Sequence, residues 1–330
     1  MSRLVVFISC LNEAETLPAT LEEIPRQIPG LDEVVVVVVD DGSTDETAEL
    51  ARRHGADHVV RHRRNLGVAR AFQTGLQTAL DLGADYLVNT DGDGQYPGDR
   101  IGDLVAPLLR GEADVVLGDR GPGKVAHFSP VKRWLQRLGS HVVSRFAGTP
   151  IPDAASGFRA FTREAALRLK VFTEFSYSQE TLIQAGHQGL ALAFIPVTTR
   201  RTDRPSRLHK GNLHYVFRQL LTIGRALAYY APIRTFGCLA LPFFLGGFVL
   251  ELRFAVLYLT GQGGIGRYIH SVTLGGFLLT IGCLIAALGL IGDGLQANRR
   301  LAQDALLRLE RLERGQSTDA GDPARRRGEG

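Results

Sequence analysis

The chain has 330 residues, 45% hydrophobic and 22% charged, which excludes disorder as its main state. Three cysteines without paired spacing exclude a disulfide-built secreted scaffold and fit unpaired thiols in a reducing compartment. A net charge of +4 and a mean hydropathy of +0.01 call for no nucleic acid, although the apolar weight is concentrated between about Thr235 and Gly292.

In chain order, Leu4–Ser9 is too short for a secretory signal and reads as a first strand. Strand-like runs follow at Val34–Val39, His58–Arg61, Tyr86–Asn89 and Val115–Leu117. Helical segments fall between them, near Glu15–Ile24, Thr44–His54, Val68–Leu82 and Ile101–Leu109. Six consecutive valines at 34–39 suit a strand covered on both faces, the mark of a parallel sheet. The alternation predicts an α/β doubly wound, mostly parallel sheet whose ligand site lies beyond the carboxyl ends of the strands. A dinucleotide site has little support, because Ser9-Cys10-Leu11-Asn12-Glu13 replaces the glycine-rich turn, and no Walker-type loop occurs.

The second strand ends in Asp40-Asp41-Gly42-Ser43-Thr44-Asp45. Ser43 and Glu46 have the spacing of a capping box, and Gly42 permits a tight turn. Asp40 and Asp41 are not needed for the cap and could accept bonds from a nucleobase or ribose. The fourth strand ends in Asn89-Thr90-Asp91-Gly92-Asp93-Gly94-Gln95, where oxygen-bearing side chains at 91, 93 and 95 can converge on a hard cation. A helix-loop-helix calcium site needs Glu at its twelfth position, where Gly102 stands, so Mg²⁺ or Mn²⁺ completed by substrate phosphates is expected. Of the histidines, His54, His58, His62, His127, His141, His187, His209 and His214 form no spaced ligand set and read mostly as surface or interface residues.

The C-terminal third changes character. Ser271–Gly292 is uncharged and long enough to span a bilayer core as a helix. Thr235–Leu250 is shorter, and continuing through Glu251, Leu252 and Arg253 to Leu259 would complete a second span. Arg218, Arg225 and Arg234 precede the pair and Arg299, Arg300, Arg308 and Arg311 follow it, against Arg267 alone in the link. Positive-inside counting therefore puts both flanks in the cytoplasm, giving a multi-pass cell-membrane protein with a cytoplasmic N-terminal domain. Leu213–Tyr230 has the pattern of a helix lying at the interface. The expected organisation is a domain at 1–210, an interfacial helix at 211–232, and two spans within 233–294 (about 233–259 and 269–292). A polar helix over Leu295–Arg314 and a disordered tail from Gly315 then fill 295–330. Gly275, Gly276 and Gly282 could pack against a neighbouring copy, so a homo-oligomer is open.

The ordered set Asn12-Glu13, Asp40 to Asp45, Asn65-Leu66-Gly67, Asp91-x-Asp93-x-Gln95, Ser156-Gly157-Phe158-Arg159 and Gln179-Glu180 resembles family 2 glycosyltransferases of the GT-A fold. With the C-terminal hairpin, it resembles the branch that glycosylates dolichyl or undecaprenyl phosphate. The resemblance implies that Asn12, Glu13, Asp40 and Asp41 hold the nucleoside of a GDP- or UDP-hexose. It implies that Asp91, Asp93 and Gln95 hold the metal bridging the donor diphosphate, with Asp93 catalytic, and that the anomeric carbon is inverted by direct displacement. Arg133 and Arg137 share a face of a helix expected over Pro130–Phe146 and could receive a phosphate. The resemblance likewise assigns Arg120 and this helix to the acceptor phosphate. Arg204-Pro205-Ser206-Arg207 stands where the family has a segment closing over the donor phosphates, so Arg204 and Arg207 join the donor-binding set. A phosphomonoester is largely dianionic at pH 7 and can attack without a protein base. A hydroxyl acceptor would need one, and Glu180 is the candidate. The expectation is therefore hexose transfer to a polyprenyl phosphate. The alternatives are transfer to a lipid or polysaccharide hydroxyl with Glu180 as base, and a non-catalytic nucleotide-binding membrane scaffold.

Overall fold

The computed structural model describes residues 1–121, 130–169, 177–200, 224–225, 227–260 and 269–320, in two units divided between Ile223 and Gly224. The N-terminal unit is built on a seven-stranded sheet of order β3-β2-β1-β4-β6-β5-β7. Its strands are β1 (Arg3–Cys10), β2 (Glu33–Asp40), β3 (His58–Arg61), β4 (Tyr86–Asp91), β5 (Val115–Asp119), β6 (Arg159–Thr162) and β7 (Leu192–Pro196). All neighbours are parallel except β6, which runs antiparallel between β4 and β5.

The expected alternation is present. Helices α1 (Leu17–Glu22), α2 (Thr47–Arg53), α3 (Val68–Asp81) and α4 (Ile101–Leu109) connect the first five strands. They are followed by α5 (Pro130–Ala147), α6 (Arg163–Arg168) and α7 (Tyr177–His187). Val34–Val39 are all buried, with helices covering both faces of β2, which is why a valine run is stable there. The sheet differs from a purely parallel one because Arg159–Thr162, a four-residue segment, pairs back against β4 with Asn89 opposite Arg159. This pairing brings the turn before β6 to the carboxyl ends of β1, β2 and β4.

The capping box does not form. Helix α2 starts at Thr47, and the Ser43 hydroxyl accepts instead from the Asn12 backbone N–H at 2.8 Å. Asp45 takes over the helix start, accepting from the Thr47 N–H at 3.1 Å. Gly42 has φ +76°, and a Cβ there would lie 2.5 Å from the Arg64 backbone, so the turn requires glycine.

The second unit contains α8 (Pro232–Leu259) and α9 (Ile269–Ala320), packed antiparallel. Their contact line runs from Pro232 against Gly292, through Phe236 against Gly289 and Phe244 against Gly282, to Glu251 against Gly275. Gly275 and Gly282 thus serve the close approach of the two helices within one chain, rather than a free face for a neighbouring copy. α8 continues through Glu251 and Arg253 without a break, and both helices are long and apolar enough to cross a membrane. Only 11% and 17% of their apolar windows are buried, leaving Leu245, Phe248, Phe277 and Leu284 uncovered. A buried core hairpin would show the opposite pattern. α9 runs on to Ala320, past the tail expected from Gly315, because no proline interrupts its hydrogen-bond ladder before Pro323. The interfacial helix expected at 211–232 lies mostly outside the described residues.

Candidate active site

The carboxyl ends of β1, β2 and β4 meet at a cluster of acids. Asn12, just past β1, has φ 54°, a left-handed conformation that asparagine tolerates. Its side-chain oxygen accepts from the Thr44 N–H at 2.8 Å, stitching the β1 loop to the β2 loop. The Glu13 N–H donates to the Thr47 hydroxyl at 2.9 Å, which turns the loop toward the acidic strand ends. The Thr16 hydroxyl lies 3.1 Å from Glu13 Oε2 and 2.9 Å from the Gly92 carbonyl, joining Glu13 to the β4 loop. The buried Cys10 thiol is pushed up by desolvation and by the fields of Glu13, Asp40, Asp91 and Asp93, a measure of how closely four carboxylates distant in sequence converge.

The two acids of β2 have different surroundings. Asp40 is fully buried, and its Oδ1 accepts from the Ser43 N–H at 2.9 Å. Its Oδ2 is 3.1 Å from Arg61 Nε as an ion pair, yet has no aligned hydrogen bond. Asp41 accepts from the Leu66 and Gly67 N–H groups at 2.9 and 2.8 Å and pairs with His62 Nδ1 at 2.7 Å. His62 Nε2 in turn meets the Thr74 hydroxyl at 2.9 Å. His62 is therefore a half-buried residue fixing the 62–67 loop, an exception to the mostly surface or interface reading of the histidines.

At the end of β4, the partly buried Asp91 stands beside Asp93, whose Oδ1 accepts from the Gln95 N–H at 3.0 Å. Burial foremost, then the Asp93 and Glu13 charges, push the Asp91 carboxyl up to about 7, against the opposing pull of Arg120 and Arg159. Gly157 lies directly against this carboxylate: a Cβ there would sit 2.9 Å from Asp91 Oδ2. The Gly157 carbonyl accepts from Asn89 Nδ2 at 2.6 Å, and its N–H donates to the Tyr96 hydroxyl at 3.1 Å. Among the described residues, no three His, Cys, Asp or Glu side chains form a complete metal cage.

Behind this loop sit two cations, Arg120, expected at the acceptor phosphate, and Arg159, the last residue of the Ser-Gly-Phe-Arg run, whose partners the sequence did not reveal. Arg159 is fully buried and donates to the Ser156, Ala154 and Ser178 carbonyls and the Thr181 hydroxyl. Desolvation lowers its guanidinium to about 10. Arg120 makes a bidentate pair with Asp153, at 2.6 and 2.9 Å, that is almost wholly buried. Although desolvation opposes it, the Asp153 contact keeps the Arg120 guanidinium firmly protonated. Arg120 thus reaches the acid cluster as a fixed charge whose fork is already occupied by Asp153. Glu180 is buried in the first turn of α7, with Gln184 Nε2 3.4 Å from its Oε1. Arg137 is exposed on α5, while the Arg133 side chain, Arg204 and Arg207 lie outside the described residues.

Sequence reasoning missed Asp153, Tyr96 and the role of His62. Asp153 stands three residues before Ser156, close enough to the Ser-Gly-Phe-Arg run to have been considered with it. His62 gave no local signal.

The family model for glycosyl transferase family 2 matches residues 5–169, half of the chain. An uncharacterized glycosyltransferase of Mycobacterium tuberculosis is 36% identical over 198 residues, covering 58% of this chain and 83% of that protein. The polyprenol monophosphomannose synthase of Mycolicibacterium smegmatis is 28% identical over 223 residues, 64% of this chain and 83% of its own. A UDP-N-acetylglucosamine–dolichyl-phosphate N-acetylglucosaminyltransferase of Methanococcus voltae is 29% identical over 193 residues, 51% and 75% of the two chains. Among solved structures, glucosyl-3-phosphoglycerate synthase from Mycobacterium tuberculosis, in complex with Mn²⁺, uridine diphosphate and phosphoglyceric acid, superposes with a TM-score of 0.52. It is 22% identical and covers 67% of this chain and 78% of its own, a likeness of fold. The fold and the acidic strand ends define a GT-A enzyme. The chain belongs to glycosyltransferase family 2, and its homologues include sugar transferases acting on polyprenyl and dolichyl phosphates.

Proposed function

We propose that this glycosyltransferase moves a hexose from a nucleotide-sugar to a polyprenyl phosphate at the cytoplasmic face of a membrane, with Mg²⁺ or Mn²⁺ as cofactor. The observation that carries this reading is the pairing, in one chain, of the acidic Asp91/Asp93 loop with two membrane-length helices left uncovered. The donor set fits the metal: two carboxylates and the Gln95 amide are hard oxygen ligands, and adjacent, partly buried like charges such as Asp91 and Asp93 favour a cation between them. With few protein ligands, the remaining positions suit donor phosphates and water. Bound there, the ion would neutralise charge on the departing diphosphate.

The chain's own residues do the rest. The buried Asp40 Oδ2, with lone pairs to spare, suits an N–H of a nucleobase or a ribose hydroxyl, and Asp41 and Asn12 hold the loops around it. Arg120, fixed by Asp153, presents positive charge toward the acid cluster, where the acceptor phosphate would enter. An oxygen of that phosphate forms a bond to the anomeric carbon as the bond to the donor diphosphate breaks, with inversion. The electron pair leaves on the nucleoside diphosphate. No proton is removed, so Glu180 serves as a structural acid in α7.

Membranes carrying the full chain, given a panel of labelled GDP- and UDP-hexoses with Mn²⁺ or Mg²⁺, should yield lipid-extractable label on polyprenyl phosphate. No such label with any donor would overturn the reading. Glu180→Gln should keep activity toward polyprenyl phosphate; loss of chemistry with intact folding would favour a hydroxyl acceptor.

A further inference from the structure

Helix α5 has two faces of opposite character. Its inner face is buried at Ser140, Val143 and Ala147 and packs on α7, where Gly186 leaves room for the Ala147 carbonyl. The same face holds the loop of the site: the Ser140 hydroxyl accepts from the Ala154 N–H at 3.1 Å, and the Ser144 hydroxyl accepts from the Ile151 N–H at 2.8 Å. That loop carries Asp153, the partner of Arg120, and leads into Gly157 against Asp91.

The outer face presents Trp134, Arg137, His141 and Arg145, all exposed. At about 100° per residue these four fall within about 80° of one another around the helix. Trp134, the chain's one tryptophan, is 59% exposed. The eighteen residues of α5 contain Lys132, Arg133, Arg137 and Arg145 and no acid. An exposed indole at the end of an unbroken basic stripe is poorly suited to water, and its charge complements an anionic lipid surface.

We propose that the Trp134–Arg145 face of α5 docks on anionic phospholipid headgroups. Trp134 enters the headgroup–acyl boundary and the arginines pair with lipid phosphates. Docked this way, the loop from Ile151 to Gly157 lies about one helix diameter, roughly 10 Å, from the headgroups. A lipid phosphate could then reach the acid cluster while its tail stays in the bilayer. The inference rests on the membrane-bound reading above.

Because the chain has one tryptophan, its fluorescence reports this face alone. The full chain is reconstituted in liposomes of phosphatidylcholine, with or without phosphatidylglycerol, with bromine on the acyl chains near the headgroups. Excitation at the red edge keeps the tyrosines silent. Trp134 emission should be blue-shifted and quenched by bromine, more strongly when phosphatidylglycerol is present and less at high salt. Each basic residue near such a surface shifts the docked population about fivefold, so Arg145→Glu should reduce it by at least about fivefold. Arg145→Glu should also raise the KM for liposomal polyprenyl phosphate while leaving the KM for nucleotide-sugar unchanged. Emission typical of a solvated indole, unquenched in either lipid, overturns the proposal. So does a blue shift without bromine quenching, which would mean that another protein surface or a second copy covers Trp134. Quenching needs no turnover, so docking without sugar transfer would leave this inference standing and sink only the proposed reaction.

Discussion

Replacing Gly157 by alanine adds one methyl group where the site has no space for it. The new Cβ falls 2.9 Å from Asp91 Oδ2, 3.2 Å from Oδ1 and 3.3 Å from the Tyr177 hydroxyl. Ordinary contact needs about 3.4 Å, so the partly buried carboxylate must retreat by about half an ångström from its present position. Gly157 is not among the glycines with positive φ, so alanine brings no backbone strain and the effect is confined to Asp91. Disturbing the support of a metal ligand typically costs about 10–100-fold in metal affinity or activity. We expect a loss of that size in Mn²⁺ affinity, read by titrating initial transfer rates, with thermal unfolding little changed. Gly102→Ala is the control, because its Cβ meets nothing within 4 Å. It should be neutral or stabilising by about 0.5–1 kcal/mol. A Gly157→Ala enzyme with unaltered Mn²⁺ dependence and rate would refute the assignment of Asp91 to the metal.

Other consequences follow from the same geometry. Asp153→Ala strands the buried Arg120 charge and should destabilise the N-terminal unit by about 3–5 kcal/mol. Adding Arg120→Met should recover part of that loss, and an additive double variant would count against the pair. His62→Ala removes a half-buried partner of the buried Asp41, costing about 1–3 kcal/mol, and should speed hydrogen exchange at Leu66 and Gly67. Unchanged exchange there would contradict the anchoring role. In metal-free protein, Asp91 keeps its proton up to about pH 7, whereas the unfolded chain releases it near 3.8. The native state therefore binds more protons in that window, and stability falls as pH rises from about 4 to 7. Asp91→Asn should flatten this slope; superimposable pH–stability curves for the two proteins would disprove it.

Local pattern carried the fold where elements were long or strongly marked. His58–Arg61 and Ile101–Leu109 were bounded to the residue, and the valine run of β2 named a parallel sheet. β6 and β7 escaped notice because four or five residues carry too little periodicity, and β6 owes its place to pairing with a strand about 70 residues away. Ser43 looked like a cap because its spacing to Glu46 is right; the competing donor, Asn12, comes from another loop. The acids of the site were visible as strand-end motifs. Their supports were not, since His62 sits in a polar Arg-His-Arg-Arg run whose solvated look hides a bond to Asp41.

The antiparallel insertion of β6 also dictates an order of events during synthesis. Among the described residues, β5 has two neighbours in the sheet, β6 and β7, and both are translated after it. At ordinary elongation rates, Val115–Leu117 must wait about 4–15 s between the making of Asp119 and that of Pro196. For about the first half of that interval, until β6 is made at Thr162, a strongly apolar strand has helix α4 for company and no hydrogen-bonding partner, and its other edge stays open until Pro196. Ribosome-arrested chains of increasing length should therefore become protease-resistant around β5 only once they extend past residue 196.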